Sequence, residues 1–459
     1  MSGSTKVRTQ NRGTLSRRLS WVNEAARRDK QARFTSLLHH VDEAALERSF
    51  RRLKRSASAG VDGETVTSYE HDLQERLRDL CERVHTGRYR AQPVRRVHIP
   101  KSDGGQRPLG IPALEDKIVQ GAVAEVLNTI YEADFLGFSY GFRPGRSPHH
   151  ALAALHQAVM TQRMNWVLDA DIRSFFDSVD HEWLQRMLAH RIADRRILRL
   201  IRKWLRAGVL DENEWSETRQ GTAQGTVISP LLANVFLHYV LDLWVHWWRQ
   251  RYARGRVVIV RYCDDFVMGF QYKADAQKML VSLHERLAKF RLTLHEKKTR
   301  LIEFGRFAAL RLAQRGERPE TFAFLGFTHY CGWSRDGRFV LKHKTQSKRL
   351  ARKLRELRIE ARRRMHTPVA MQHQWLNRVL RGHYAYYGLP CNGRSLSRFY
   401  WQVLTLWCRS LRRRSQRGLT WARFIELLQL FPLPNPRLTR SWRDRLAELG
   451  YPSGRAQCG

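Results

Sequence analysis

The sequence predicts an α+β protein: antiparallel strands set among helices, followed by an all-helical region. Two patterns predict it. Up to about residue 340, short apolar runs bounded by turn residues alternate with segments of helical period, and after 343 only the helical period continues. A third observation bears on partners. The 459 residues hold 82 Lys+Arg against 43 Asp+Glu, a formal charge of +39. A chain this basic repels itself unless a polyanion neutralises it, which makes nucleic acid the first candidate and an anionic membrane surface the second. The chain is 42% hydrophobic, enough to build real cores. Its length suggests roughly two to four domains.

Residues 1–30 are polar and basic and read as a mobile or weakly helical arm. They begin "MSGSTKVRTQNRG" with no apolar segment behind, so no secretory signal is expected. From 31 onward Phe34, Leu37, Leu38, Val41, Ala45 and Leu46 repeat at helical spacing. "SASAGVDG" (56–63) is a loop, and 64–90 is helical again. "PVRRVHIPKSDGGQRPLGIP" (93–112) reads as strand, Gly-rich turn and strand. A helix is expected over 115–132. "NWVLDADIRSFFDSVD" (165–180) starts as a strand and ends at a helix start, with Asp180 as N-cap. "QGTAQGTVISP" (220–230) is a loop, "VVIVRYCDDFVMGF" (257–270) a hairpin with Cys263–Asp265 at its turn, and 273–290 an amphipathic helix. Short strands follow in 321–343. A domain boundary is expected near 340, and "FPLPNPR" (431–437) ends the last strong helix.

The longest apolar stretch, "LLANVFLHYVLDLWVHWW" (231–248), carries Asn234, His238 and Asp242 four residues apart, as a polar stripe on an apolar helix would. No charge-free span of about 20 residues exists, so no transmembrane helix is expected. The six cysteines (81, 263, 331, 391, 408, 458) form no CxxC pair. That speaks against a zinc module or a disulfide framework and for a reducing cytoplasm.

Asp264 and Asp265 sit side by side in an apolar hairpin. Buried together and ionised they repel strongly, and the usual remedy is a hard divalent cation held by oxygen ligands. An Asp-Asp pair at a turn is also what ordinary solvated turn chemistry produces. The flanking apolar residues, and the second carboxylate-bearing strand "DADIRSFFD" with Asp169 and Asp171 on one face, raise the metal reading. Such a site, with two Mg²⁺ roughly 3.5–4 Å apart, activates a sugar hydroxyl and stabilises a leaving pyrophosphate. Lys101 and Arg107 flank a turn with Gly104 and Gly105. They suit a hairpin that folds over phosphates, although a charged surface hairpin looks the same.

Taken in order, "IPKSDGGQRPLGIP", "FSYGFRPGRSPHHAL", "DADIRSFFDSVDH", "QGTAQGTVISPLLAN", "RYCDDFVMGF", "EKKT" and "FLGF" resemble the reverse-transcriptase blocks of group II intron-encoded proteins. The "GVDG" loop resembles their extra N-terminal block. "LRGHYAYYG" onward to "LTWARF" resembles their thumb, or maturase X, domain. The resemblance runs from about 35 to 437 and implies a right-hand polymerase. In that layout 1–30 is a basic N-terminal arm. Fingers and palm span 31–340, with an antiparallel sheet flanked by helices. An all-α thumb spans 341–437, and 438–459 is a short tail without an endonuclease domain, as in the compact C-type members.

The resemblance further implies that Asp171, Asp264 and Asp265 are the catalytic metal ligands, with the Ile172 carbonyl as an extra ligand and Asp169 structural. Lys101, Arg107, Phe176 and Gln224 would bind the dNTP, Phe176 by blocking a 2′-hydroxyl, unless it is plain core packing beside Phe175. Leu325, Gly326 and Phe327 would support the primer end. Two departures stand out: Cys263 where Ala is usual, and Ala223 before Gln224–Gly225 where Pro is commoner.

The implied activity is RNA-directed DNA synthesis with two Mg²⁺ ions and dNTP substrates. Intron RNA binding, splicing assistance and target-primed insertion would accompany it. The partners are then group II intron RNA, template RNA and a DNA target or primer. The location is the bacterial cytoplasm, with nucleoid association during insertion, and a monomer and a homodimer stay equally open. Two alternatives remain: a free-standing reverse transcriptase in repair or phage defence, and an RNA-binding splicing factor with a dead polymerase site.

Residues 344–364 hold ten Lys/Arg against two Glu, with Leu350, Leu354, Leu357 and Ala361 on one face. Arg352, Lys353, Arg412, Arg413 and Arg414 are the expected RNA contacts. Trp401 and Trp407 match helical core spacing. Tyr384, Tyr386 and Tyr387 divide evenly between core and base stacking.

Overall fold

A computed structural model describes residues 17–100, 105–212, 214–218, 220–414, 418–438 and 441–448. Its strands are β1 (Val94–Pro100), β2 (Gln106–Ile111), β3 (Trp166–Asp171), β4 (Val209–Asp211), β5 (Glu214–Ser216), β6 (Val257–Tyr262), β7 (Asp265–Phe270), β8 (Arg300–Glu303), β9 (Phe322–Phe324), β10 (Phe327–Trp333) and β11 (Phe339–Thr345). They make three sheets, ordered β2-β1-β4-β5, β6-β7-β3-β8 and β11-β10-β9. All pairings are antiparallel except β1 with β4. The expected α+β class is what forms.

The second sheet explains the apolar runs in its sequence. Successive side chains on a strand point to opposite faces. Val257, Ile259, Phe266, Met268 and Phe270 enter one core, among the helices Leu114–Asp134, Ser229–Leu237 and Lys273–Ala288. Val258, Val260 and Val267 enter another, against Pro148–Thr161 and the third sheet. With both faces covered, alternation of apolar and polar residues disappears.

The helix Leu114–Asp134 is buried on nearly all sides, and Asp62 of the "GVDG" loop accepts from the Leu114 amide at its start (2.8 Å). Asp180 caps His181–Ala189 as expected, accepting from the Trp183 amide (2.9 Å). The expected N-terminal arm needs correction where it is described. Arg17–Arg28 is a helix packed on Leu114–Asp134, with Leu19 and Ala26 buried and Asn23 donating to the Thr129 carbonyl. Two small apolar contacts on a strongly basic helix were too weak a signal to read in sequence. Residues 1–16 lie outside the described residues.

The boundary expected near 340 falls inside β11, whose pairing with β10 runs to Thr345. Beyond it the helices Ser347–Arg363, Val369–Tyr387, Gly393–Arg412 and Trp421–Leu430 enclose a core of their own, including Leu350, Leu357, Leu380, Phe399, Val403, Trp407 and Phe424. Trp407 is buried and donates to the Gln372 side chain (3.0 Å). Trp401 is 58% exposed, against expectation. Six residues at about 100° each place the two rings roughly 120° apart on the helix, so one face cannot bury both. Tyr384 is buried, and Tyr386 and Tyr387 are half-buried. A short helix, Trp442–Ala447, lies against Pro148–Thr161, where Trp442 stacks on His156. No helix among the described residues is long and apolar enough to cross a membrane. Cys81, Cys263, Cys331, Cys391 and Cys408 are free thiols.

Candidate polymerase site

The β3–β7 register sets Asp171 directly opposite Asp265, and Tyr262 faces Asp265 across the β6–β7 turn. Directly opposed residues in an antiparallel pair have Cα atoms about 4.5–5.5 Å apart. Three carboxylates from two parts of the chain, Asp171 and the adjacent Asp264 and Asp265, therefore gather at one end of the sheet. Asp169 lies two residues back on the same face and meets Arg300 of β8 (3.5 Å).

The electrostatics follow from this crowding. Burial, then the charges of Asp169, Asp264 and Asp171, push the Asp265 carboxyl up to about 8. Burial also raises Asp264. The Asp171 charge adds to this, and Arg107 opposes it. Burial raises Asp169 to about 6 against the pull of Arg300. A divalent cation relieves this repulsion, so the donor set fits a hard metal. Asp171 instead turns to Lys298 of the "EKKT" segment, whose ammonium reaches its carboxylate at 2.6 Å. Accordingly, among the described residues no three His, Cys, Asp or Glu side chains close into a ready cage. Lys298 holds one oxygen of Asp171, so a shared ion competes with it for that carboxylate.

Ile172 is buried in an antiparallel bridge to Leu294. The flanking bonds, Arg173 amide to Thr293 and His295 amide to the Asp171 carbonyl, leave the Ile172 carbonyl out of that bridge.

The loop around Gln224 is tied on two sides. The Thr222 amide donates to the Phe176 carbonyl (2.7 Å), and the Gly110 amide of β2 donates to the Gln224 carbonyl (2.6 Å). Gly225 adopts φ +108, and a Cβ there would stand 2.8 Å from the Gly110 carbonyl, so a larger residue would push β2 away. The loop thus joins Phe176 to β2, whose exposed Arg107 is near enough for its charge to be felt by Asp264. Phe176 is half-buried, edge-on to buried Phe175. Lys101 lies outside the described residues.

Leu325 and Gly326 form the tight β9–β10 turn, both at positive φ (48° and 83°). Tyr386 of the C-terminal helices donates its hydroxyl to the Leu325 carbonyl (2.9 Å) and stacks on Phe327. Arg349 reaches the same turn and its charge is felt by Asp265. Tyr386 was expected only as core or as a base-stacking ring and Arg349 was not singled out, because only the tertiary fold returns those helices to the sheet edge.

A model of the reverse transcriptase (RNA-dependent DNA polymerase) family matches residues 99–329, half of the chain. The chain belongs to the reverse transcriptase family. Protein YkfC of Escherichia coli is 37% identical over 244 residues, 47% of this chain and 64% of YkfC. The group II intron-encoded protein LtrA of Lactococcus lactis is 37% identical over 195 residues, 41% of this chain and 32% of LtrA. A putative COX1/OXI3 intron 1 protein of Saccharomyces cerevisiae is 31% identical over 223 residues, 48% of this chain and 26% of that protein. The chain spans less than two thirds of each of these relatives. The similarities support a group II intron reverse transcriptase/maturase, as the ordered blocks led one to expect.

The basic residues expected to meet RNA are partly occupied. Arg352 and Lys353 both pair with Glu356 (3.4 and 3.7 Å), Arg412 donates to the Leu419 carbonyl, and Arg414 donates to the Thr367 carbonyl. Arg413 is exposed. A second basic surface escaped the sequence reading. On the helix Arg195–Arg206, exposed Arg195, Arg199, Arg202 and Arg206 line one face while Ile197, Leu200, Ile201 and Leu205 are buried on the other. None of the four arginines pairs with a described carboxylate. The i, i+4, i+7, i+11 spacing of these arginines is legible in the sequence.

Proposed function

We propose that this reverse transcriptase carries out RNA-directed DNA synthesis, binds a group II intron RNA, assists its splicing and copies it during target-primed insertion. The observation that carries the reading is the register that sets Asp171 against Asp265 with Asp264 at the adjoining turn, within a chain of this family. In this reading Asp171, Asp264 and Asp265 hold two Mg²⁺ ions, with the Ile172 carbonyl as a further ligand. When bound, the ions supply activation of the primer 3′-hydroxyl and neutralisation of the leaving pyrophosphate. Arg107, with Lys101, cradles the triphosphate. The Gln224 loop and Phe176 form the wall against which the sugar rests, and Phe176 excludes a 2′-hydroxyl. The Leu325–Phe327 turn, held by Tyr386, supports the primer end. Residues to about 340 act as fingers and palm and the helices beyond as thumb. A bacterial cytoplasm, at the nucleoid during insertion, supplies these substrates.

Primer extension on an RNA template with Mg²⁺ and dNTPs tests the polymerase. A wild type that extends no primer, yet promotes splicing of an intron RNA, would leave only an RNA-binding splicing role.

The Arg195–Arg206 face gives this reading a measurable RNA surface. Its four arginines span about 16 Å along the helix. Replacing Arg195, Arg199, Arg202 and Arg206 by Ala is expected to flatten the slope of log affinity against log salt by about 3, since each phosphate contact contributes about 0.7–0.9. Filter binding from low to high salt checks it. An unchanged slope would remove this face from the RNA interface.

A further inference from the structure

Arg261 precedes the catalytic turn and is fully buried, as is its partner Asp242. A guanidinium has five N–H donors. Here each has an acceptor. Nε donates to Asp242 Oδ1 (2.7 Å), and Nη2 to Asp242 Oδ2 (2.5 Å) and Ser139 Oγ (2.7 Å). Nη1 donates to Asn234 Oδ1 (3.0 Å) and to the Cys263 carbonyl (3.0 Å). The stripe of Asn234, His238 and Asp242 is therefore no solvent-facing edge. Two of its members anchor Arg261, and Asp242 closes a π-helical turn, His238–Asp242, between two α-helices.

The bond to the Cys263 carbonyl reaches the turn itself. Cys263 adopts φ +61, a left-handed conformation that a non-glycine residue holds only where its surroundings over-determine it. The neighbouring segment does so from beneath. The Arg261 amide donates to the Phe138 carbonyl and the Tyr140 amide to the Arg261 carbonyl. Asn234 Nδ2 donates to the Gly141 carbonyl (2.6 Å). A Cβ on Gly141 would stand 2.3 Å from the Cys263 amide nitrogen, so the two backbones touch. Fixing the Cys263 carbonyl fixes the Cys263–Asp264 peptide plane. That plane decides where the Asp264 side chain leaves the turn, and where Asp265 begins β7. Stability alone does not call for a buried pair here. A well-packed apolar pair of similar volume is often as stable or more so.

We propose that Arg261, braced by Asp242, Asn234 and Ser139, is a positioning residue that sets the Cys263–Asp264 peptide and thereby aims Asp264 and Asp265 at the reacting centre. The proposal rests on the polymerase reading of those carboxylates. Arg261 touches neither substrate nor ion. Lysine cannot replace it, because one ammonium cannot meet Asp242 along two edges and still reach the Cys263 carbonyl.

Two variants of the full chain test it: Arg261→Lys, and the double variant Arg261→Met/Asp242→Leu, which removes both charges at similar volume. Three quantities are read, each normalised to the folded fraction: the thermal midpoint, kcat and KM in primer extension, and Mn²⁺ affinity of the free protein by electron paramagnetic resonance. The double variant is expected to keep the wild-type midpoint and template-primer KM. Its kcat should fall on the order of 10²-fold, as for a misplacement of about 1 Å, and its Mn²⁺ binding should weaken. Arg261→Lys is expected to show the same split. A double variant whose kcat recovers with its stability, or a folded Arg261→Lys with wild-type kcat and Mn²⁺ affinity, overturns the proposal. The Mn²⁺ titration needs no turnover, so a failure of the polymerase reading and a failure of this proposal give different results.

Discussion

Replacing Asp264 by Ala is expected to abolish primer extension, with a loss of at least about 10³-fold in kcat, corresponding to several kcal/mol of transition-state stabilisation. Stability should move the other way. Burial and the Asp171 charge already disfavour the ionised Asp264 carboxyl, so removing it relieves repulsion at the sheet edge. The metal-free thermal midpoint should hold or rise, while the stabilisation that Mg²⁺ confers on the wild type should shrink. Asp169→Asn is the control. Asp169 sits on the same strand face but pairs with Arg300, and its replacement should leave most synthesis intact. Extension assays and melting curves with and without Mg²⁺ check both. An Asp264→Ala enzyme that still extends primers would remove the metal assignment altogether.

The second large effect is acid lability at a place remote from the carboxylates. His329 and His343 face each other across β10 and β11, and His156 lies edge-on to His343. Trp442 covers His156 and His343. Burial holds all three histidines neutral, at about 4 for His156, 3 for His329 and 2 for His343. In the unfolded chain each takes a proton near 6.5. Below that pH the unfolded state binds more protons than the folded one, so stability is full above 6.5 and falls as pH drops toward the folded values. At pH 5 the loss is about 2 kcal/mol for each histidine, being 1.5 units at 1.36 kcal/mol each. Denaturant midpoints at pH 7 and pH 5 should therefore differ strongly, and His343→Phe should shrink the difference. A midpoint that is flat over this range would mean that the cluster opens to solvent.

These predictions draw unequally on the sequence. The hairpin 257–270, the strand ending at Asp171, the loop before Ser229 and the helical C-terminal region could all be read, because apolar period, turn residues and caps act locally. The ordered blocks carried the family. The face of a helix was legible only where several residues voted together: Leu350, Leu357 and Ala361 are buried as a set, whereas Trp401 and Trp407, taken as a pair, fall on different faces. The polar stripe 234–242 was visible, but its purpose was not, since its partner Arg261 arrives from a strand that only folding brings near.

By itself, then, the sequence determined which segments are strands and helices, the excess of positive charge and the presence of paired acids near a turn. The first and last depend on residues within a few positions of one another, and the charge is a sum over the chain that needs no arrangement in space. Tertiary structure alone decided that Asp171 stands opposite Asp265, that Lys298 reaches Asp171, that Tyr386 and Arg349 return to the Leu325–Gly326 turn, and that Arg261 finds five acceptors. Those contacts join residues up to 127 positions apart, and pairing over such distances is selected by how whole elements pack their cores, which no local pattern encodes.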